Sequence, residues 1–200
     1  MKAAIICCAL LTLSACAKAP SSAAVPAPAS SPVVALTVPE RVAAFKMMKR
    51  HDYDDAGSGV QLRYEGPDSL IADVFVYPGP DLASECPLSC AEARMAAELA
   101  GFESSFPEMI RRGFVQSASV TARDSLVPPS TGLWQLGHHL TLAVTRDSLA
   151  QRSEFYLYYL PGYRVKVRAT FTEAESRLRD IRAFVAALVP LLAGRGVPPT

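Results

Sequence analysis

Two cysteines lie four residues apart in the segment Glu85-Cys86-Pro87-Leu88-Ser89-Cys90. On a helix this spacing puts the Cα atoms roughly 6.2 Å apart, inside the ~4.4–6.8 Å range of disulfide bonds. Pro87 disfavours the α conformation at Cys86, which leaves slack for closure. We predict a Cys86–Cys90 disulfide that fixes a loop to the start of a helix. A redox role is the weaker alternative, because the spacing is not Cys-x-x-Cys.

Two histidines, His138 and His139, are neighbours in a predicted strand. Neighbouring strand residues point to opposite faces, so the two cannot hold one ion together without a bulge. His138 is expected on the apolar face with Trp134 and Leu142, and His139 on the other face. Each is interpreted as a core or rim histidine with a satisfied hydrogen bond. A copper or zinc site would need a histidine beside the cysteine pair, and we predict no metal and no other cofactor.

Catalytic signatures are absent from the sequence. It contains neither Gly-x-Ser-x-Gly nor His-Glu-x-x-His, and no phosphate-binding loop. The acidic cluster Asp52, Asp54 and Asp55 lacks the ligand spacing of a calcium loop and is interpreted as a solvated turn. We therefore predict no catalytic residues.

A basic ladder, Arg164, Lys166 and Arg168, lies on the outward side of one predicted strand. It suits a solvated sheet face, an edge protected by charge, or a surface for an acidic partner. Glu154 on a neighbouring strand could partly neutralise it by cross-strand pairing. The whole chain has 20 basic and 19 acidic residues, a net charge of +1, which argues against nucleic-acid binding.

The N-terminus combines Lys2, an apolar run over residues 3–15, and the sequence Leu13-Ser14-Ala15-Cys16. The run would rise about 20 Å as a helix, too short for the ~30 Å hydrocarbon core of a membrane, so it predicts a signal peptide. The motif Leu13-Ser14-Ala15-Cys16 resembles the lipobox of bacterial lipoproteins. The resemblance implies that the chain is cut before Cys16 and that Cys16 carries lipid. Ala17, rather than Asp, implies the outer membrane; an ordinary signal peptide and a soluble periplasmic protein are the alternative.

The remaining chain divides into three parts. Residues 16–39 form a tether rich in Pro, Ala and Ser, because such a composition cannot bury enough apolar surface to fold. Residues 40–194 suit one globular domain, and 195–200 a flexible tail. The tether could hold the domain up to ~70 Å from the lipid.

The domain's hydrophobic pattern changes between strand and helix periods. Strands are predicted at 60–65, 70–77, 114–122, 133–145, 155–160 and 163–171, and helices at 87–112 and after Thr172. Residues 42–48 suit either a strand or a helix. We predict an α+β fold: an antiparallel sheet of about five to six strands with two main helices packed on one face, the other face being solvated.

Two segments carry a resemblance for the domain: Pro39-Glu40-Arg41-Val42-Ala43-Ala44-Phe45 and Gly59-Val60-Gln61-Leu62-Arg63-Tyr64. They resemble the opening of small bacterial envelope proteins with a PsbP-like architecture. The resemblance implies helices against a curved antiparallel sheet over residues 38–193, and it implies no activity.

These observations predict an envelope lipoprotein whose periplasmic domain binds a protein or an envelope component without catalysis. One alternative is an immunity or inhibitor lipoprotein that blocks a toxic effector. Another is a small envelope hydrolase, or a redox or metal-binding protein that uses Cys86, Cys90 and His138.

Overall fold

The computed structural model describes residues 37–53, 59–79, 88–126, 136–160 and 162–193. Several sequence predictions lie outside these residues: the signal peptide with its lipobox, the tether as far as residue 36, Cys86, Trp134 and the C-terminal tail. The Tyr64 hydroxyl donates a hydrogen bond of 2.9 Å to the Pro39 carbonyl oxygen, which joins the start of the domain to the sheet.

Within the described residues, eight antiparallel strands form one sheet. In chain order they are β1 (Arg41–Val42), β2 (Phe45–Asp52), β3 (Val60–Glu65), β4 (Ile71–Pro78), β5 (Ser117–Leu126), β6 (Leu136–Arg146), β7 (Leu149–Leu160) and β8 (Tyr163–Phe171). Their order across the sheet is β1-β2-β3-β4-β8-β7-β6-β5. The last strand of the chain therefore joins a meander of β1–β4 to a second meander of β5–β7.

Helices cover both faces of this sheet. Helix α1 (Leu88–Ser104) and the short α2 (Phe106–Arg111) follow β4, and α3 (Glu175–Ala193) follows β8. Tyr156, Tyr158 and Leu160 of β7 belong to the core that includes α3, whereas Phe155, Leu157 and Tyr159 pack in a separate core with α1 and α2. Alternate residues of one strand point to opposite faces, so the two cores lie on opposite sides of the sheet.

The predicted fold class is wrong in two respects. The sheet has eight strands among the described residues, rather than five to six, and the helices do not share one face. The apolar run Phe155–Leu160 has no polar alternation because both faces of β7 are covered, and all six residues are buried. The idea of one solvated sheet face therefore applies to only part of the sheet.

Strand β2 was ambiguous in sequence because a bulge interrupts its alternation. The register with β3 shifts between Met47 and Lys49, which adds one residue and leaves Met48 exposed. Phe45 before the bulge packs on Phe184 of α3, with ring centroids 4.5 Å apart. Lys49 after the bulge faces the opposite side, opposite Arg63. The bulge therefore lets one strand contribute to the core and to a polar surface.

Candidate functional site

One part of the sheet carries a polar surface, which α1 contacts through Glu98. Strands β2, β3, β4 and β8 bury one set of side chains under α3. The alternate set points away from α3, towards the side that α1 and α2 occupy over β5–β7. We call this alternate set the open face. Its members are Lys46, Lys49, His51, Gln61, Arg63, Glu65, Ile71, Asp73, Phe75, Tyr77, Arg164, Lys166, Arg168 and Thr170.

The strand register aligns the charges of the open face in a row. Lys49 lies opposite Arg63, Arg63 opposite Asp73, and Asp73 opposite Arg168. Arg63 donates two hydrogen bonds to Asp73, from Nε at 2.8 Å and from Nη2 at 3.1 Å. Arg168 Nη2 lies 3.7 Å from the same carboxylate. One carboxylate thus faces two guanidinium groups, which leaves the row with an excess of positive charge.

The predicted basic ladder lies on the open face, but its three members have different surroundings. Lys166 Nζ is 2.7 Å from Glu98 Oε1 of α1, and Arg164 Nη1 is 3.4 Å from Glu98 Oε2. Arg168 is more accessible, with its side chain 45% exposed. The ladder therefore consists of one accessible cation and two that join α1 to the sheet.

Glu98, in the middle of α1, holds this helix on strands β7 and β8. Burial raises the pKa of its carboxyl group, but hydrogen bonds from Lys166 and Tyr159 outweigh burial, and the net pKa is lowered. The Tyr159 hydroxyl donates to Glu98 Oε2 at 2.7 Å. The sequence analysis missed Glu98, because a glutamate on a helix surface gives no sign of the strand residues that it contacts.

Glu154 does not neutralise the basic ladder as predicted. It lies opposite Ala169, on the α3 side of the sheet, and is 0% exposed. Its carboxylate accepts hydrogen bonds from His139 Nε2 and Arg152 Nε. Burial raises the pKa of Glu154, yet these two donors outweigh burial and lower it overall. Glu154 therefore belongs to a separate buried network.

His139 is the centre of that network. Its Nδ1 lies 3.2 Å from Asp124 Oδ2, and its ring stacks on Tyr156 with centroids 4.4 Å apart. Arg152 also reaches Glu173, 3.2 Å from Nη1 to Oε1. Both ring nitrogens of His139 face carboxylate oxygens and the residue is 5% exposed. This arrangement fixes β5, β6 and β7 together and leaves no ring nitrogen directed at a substrate.

The structure confirms that the two adjacent histidines point to opposite faces. His138 lies on the same side as Leu140, beside Leu99 of α1, and is half-buried. His139 is more buried than the sequence suggested, because α3 and Tyr156 lie on its side of the sheet. The signal that could have identified its partners was Glu154, a lone acid immediately before the apolar run of β7.

The structure describes one cysteine of the predicted disulfide pair. Cys90 is half-buried in α1, whereas Cys86 lies outside the described residues, so their bond stays a prediction. Among the described residues, no group of three or more His, Cys, Asp or Glu side chains is arranged to hold a metal ion.

In the same residues, no helix combines the length and apolar character needed to cross a membrane.

A cavity of about 300 Å³ opens beside the open face, where the layer of α1 and α2 ends. Apolar side chains of both helices line it, together with Val115 and side chains of strands β3 to β8. Arg63, Asp73 and Arg168 belong to both the cavity and the open face.

Comparison with known proteins identifies no family. No protein-family model matches the chain, and no curated protein matches it. Among solved structures, the chain is similar to cyanobacterial PsbP (CyanoP) from Synechocystis sp. PCC 6803, with 12% identity, a TM-score of 0.45, and coverage of 74% of this chain and 84% of that chain. It is also similar to PA94, a Pseudomonas aeruginosa protein of unknown function, with 11% identity, a TM-score of 0.32, and coverage of 78% and 83%. At these scores the likeness carries no conclusion about function.

Proposed function

We propose that the protein is an envelope-anchored lipoprotein whose folded domain binds an acidic partner protein through the open face, without catalysis. The observation that carries the proposal is the excess of positive charge on this face. Six basic side chains, Lys46, Lys49, Arg63, Arg164, Lys166 and Arg168, accompany three carboxylates, Glu65, Asp73 and, from α1, Glu98.

Two of these carboxylates, Asp73 and Glu98, are already bound by basic residues of the open face. Asp73 is contacted by Arg63 and Arg168, and Glu98 by Lys166 and Arg164. Lys49 and Arg168 are exposed at opposite ends of the central row. Complementary charge across an interface accelerates encounter and selects against wrong partners. The acidic partner would therefore gain most from these two accessible cations.

Aromatic side chains lie within the charged surface. The rings of Phe75 and Tyr77 are nearly parallel, 5° apart, with centroids separated by 6.3 Å. Lys166 Nζ lies 5.1 Å from the centroid of the Tyr77 ring. Both aromatic residues are half-buried. Aromatic residues are enriched in the central part of protein interfaces, with charged residues at the rim. This composition supports a protein partner rather than a purely ionic one.

The envelope location is proposed from the N-terminal sequence. The lipobox-like Leu13-Ser14-Ala15-Cys16 and the proline-rich tether support a lipid on Cys16 and an outer-membrane protein that faces the periplasm. Stable anchoring needs two or more acyl chains, at ~0.8 kcal/mol per buried methylene. The tether would let the domain reach a partner at a distance from the membrane.

The non-catalytic part of the proposal rests on the buried histidine network. His139 has both ring nitrogens in contact with carboxylates, so it is poorly placed to accept a proton from a substrate. An immunity protein is a special case of the same proposal, in which the acidic partner is a toxin. No feature of the open face favours that case over a partner in envelope assembly.

A pull-down from solubilised membranes tests the proposal. The bait is the mature chain, compared with Lys49→Gln/Arg168→Gln on the open face and with Arg94→Gln/Arg179→Gln. Arg94 and Arg179 are exposed on α1 and α3 and are not members of the open face. Each double variant removes two charges, so nonspecific ion exchange would weaken equally in both.

We expect the wild type and Arg94→Gln/Arg179→Gln to capture the same specific acidic protein. The amount captured by Lys49→Gln/Arg168→Gln should be about tenfold lower. Equal capture by the two variants would contradict binding through this face. If adding the mature chain also prevents toxicity of the captured protein, the immunity case applies.

A further inference from the structure

The cavity beside the open face has the size of a small-molecule site. Its volume of about 300 Å³ lies at the lower end of the range for ligand pockets, about 300–1,000 Å³. At about 30 Å³ per water-sized group, it has room for roughly ten non-hydrogen atoms. A macromolecular segment of several residues would not fit, so the cavity suits a small ligand or one short chain.

One wall of the cavity is apolar and held in place by aromatic packing. Phe102 of α1 and Phe106 of α2 meet edge to face, with ring centroids 5.2 Å apart. Phe102 also stacks on Phe155 of β7 at 4.2 Å. Met109, Val115 and Leu142 complete this wall. Because these side chains already contact one another, the wall is preformed and a ligand would not have to order it.

The cavity also has polar lining residues, and these carry a net positive charge. The charged residues among them are Arg63, Arg146, Arg168 and Asp73. Arg63 is engaged with Asp73 through two hydrogen bonds. Arg168 approaches that carboxylate with one nitrogen at 3.7 Å, and Arg146 uses Nε to donate to the Phe114 carbonyl oxygen at 3.1 Å. A guanidinium group has five N–H donors, so both Arg146 and Arg168 retain donors for a ligand.

Two hydroxyl-bearing residues also line the cavity. The hydroxyls of Ser153 and Thr170 are 2.9 Å apart and hydrogen-bonded to each other. In such a pair one hydroxyl donates and the other keeps its hydrogen available. The cavity can therefore offer both neutral and charged hydrogen-bond donors to a ligand.

We propose that this cavity binds an amphipathic monoanion: a carboxylate on an apolar body of up to about ten non-hydrogen atoms in all, such as a medium-chain fatty acid. The apolar wall would bury the chain, and the guanidinium groups would bind the carboxylate. A neutral ligand would leave the guanidinium groups without an anion, and a small hydrophilic anion would leave the apolar wall uncovered. This inference goes beyond the proposed partner protein and does not depend on it.

Calorimetric titration with octanoate, octanol and octylamine tests the ligand class. We expect saturable one-to-one binding of octanoate, with octanol at least about tenfold weaker and octylamine not bound. In a series from hexanoate to dodecanoate, the affinity should stop rising once the cavity is full. Absence of saturable octanoate binding at millimolar concentration, or equal binding of octanol, would overturn the proposal.

Two variants tie the binding to this cavity. Ala118 lines it from β5, so Ala118→Phe should fill it and abolish octanoate binding. The matched control is Ala143→Phe at an exposed site of β6 that does not line the cavity and should bind normally. Arg146→Gln, which preserves the apolar wall, should weaken octanoate by about three- to tenfold and leave octanol unchanged.

Unchanged octanoate binding by both Ala118→Phe and Arg146→Gln would contradict the assignment. Thermal unfolding checks that each variant is folded, and Arg146→Gln keeps the proposal testable should Ala118→Phe fail to fold. Neither Ala118 nor Arg146 belongs to the open face. Loss of octanoate binding with normal partner capture would therefore separate this inference from the proposed function.

Discussion

At the residue scale, Glu154 combines complete burial with a negative charge. A buried carboxylate is stable only when donors replace the water that it loses, and here the donors are His139 and Arg152. Asp124 and Glu173 extend the contacts to the surface at the two ends. An intact buried ion pair makes only a small net contribution to the free energy of unfolding. Removing one partner lowers that free energy by more, because the other charge is left buried without compensation.

The two neighbouring histidines should differ in their effect on stability. His139→Ala leaves Glu154 buried with one donor fewer and should lower the free energy of unfolding by roughly 3 kcal/mol. His138→Ala, at a half-buried site that donates no hydrogen bond to Glu154, should cost at most about 1 kcal/mol. Urea denaturation of both variants measures the contrast. Equal losses would contradict the role assigned to His139.

The lowered pKa of Glu154 predicts an acid-sensitive contribution to stability. Its folded pKa lies below its ordinary value of 4.5. The contribution is therefore fully present above pH 4.5 and is lost as the pH falls through the folded pKa. We expect wild type to be more stable than Glu154→Gln at pH 7, and the difference to shrink below pH 4.5 in urea denaturation series. A difference that is constant with pH, or that grows in acid, would contradict this assignment.

Among the elements, some strands are easier to predict from the sequence than others. β8 has the regular alternation Tyr163, Val165, Val167 on one side and Arg164, Lys166, Arg168 on the other, and its bounds were predicted correctly. It is readable because one of its faces meets α3 and the other carries polar residues. β7 is covered on both faces, so its sequence does not alternate between apolar and polar residues. The bulge in β2 interrupts the alternation there, so the sequence suited either a strand or a helix.

The open face and the cavity could not be predicted from the sequence, because they depend on which strands lie side by side. The sequence placed three basic residues on one face of β8, but Asp73 and Arg63 reach them only through the order β3-β4-β8. The cavity needs α1 and α2 to end beside that part of the sheet. Both features come from contacts between residues far apart in the chain, whereas hydrophobic periodicity reports only the local environment of each element.

Two glycines should respond in opposite ways to alanine. Gly101 lies in α1 with open space around its Cα, so Gly101→Ala should stabilise the protein by up to about 1 kcal/mol. Gly59 before β3 has φ +71°, and an added Cβ would lie 1.9 Å from the Val76 carbonyl oxygen. Gly59→Ala should therefore destabilise by more than about 2 kcal/mol. Thermal unfolding measures both, and a neutral Gly59→Ala would contradict the close contact between β3 and β4.

At the scale of the whole molecule, the proposal joins a membrane anchor, a tether and a binding domain. The domain places its charged surface on one side of the sheet and its largest core, with α3, on the other. A domain on a tether keeps a high local concentration near the membrane while it remains free to turn its open face towards a partner.

If Cys16 carries the lipid anchor, replacing this residue should change where the protein is found in the cell. Cys16→Ser should abolish incorporation of a palmitate analogue and move the protein from the membrane fraction to the soluble fraction, because no acyl chain remains to hold it. Metabolic labelling followed by fractionation measures both effects. Cys90→Ser is the control and should leave lipid incorporation unchanged. Labelling that persists in Cys16→Ser would contradict the lipobox interpretation.

Site-specific photo-crosslinking in intact cells tests binding through the open face, because it identifies the surface that meets the partner. A photoreactive amino acid is placed at Lys49 on the open face and, in a second strain, at Arg94 on the exposed side of α1. The proposal predicts a discrete protein adduct from position 49 and none from position 94. An adduct from position 94 alone, or none from either position, would contradict binding through the open face.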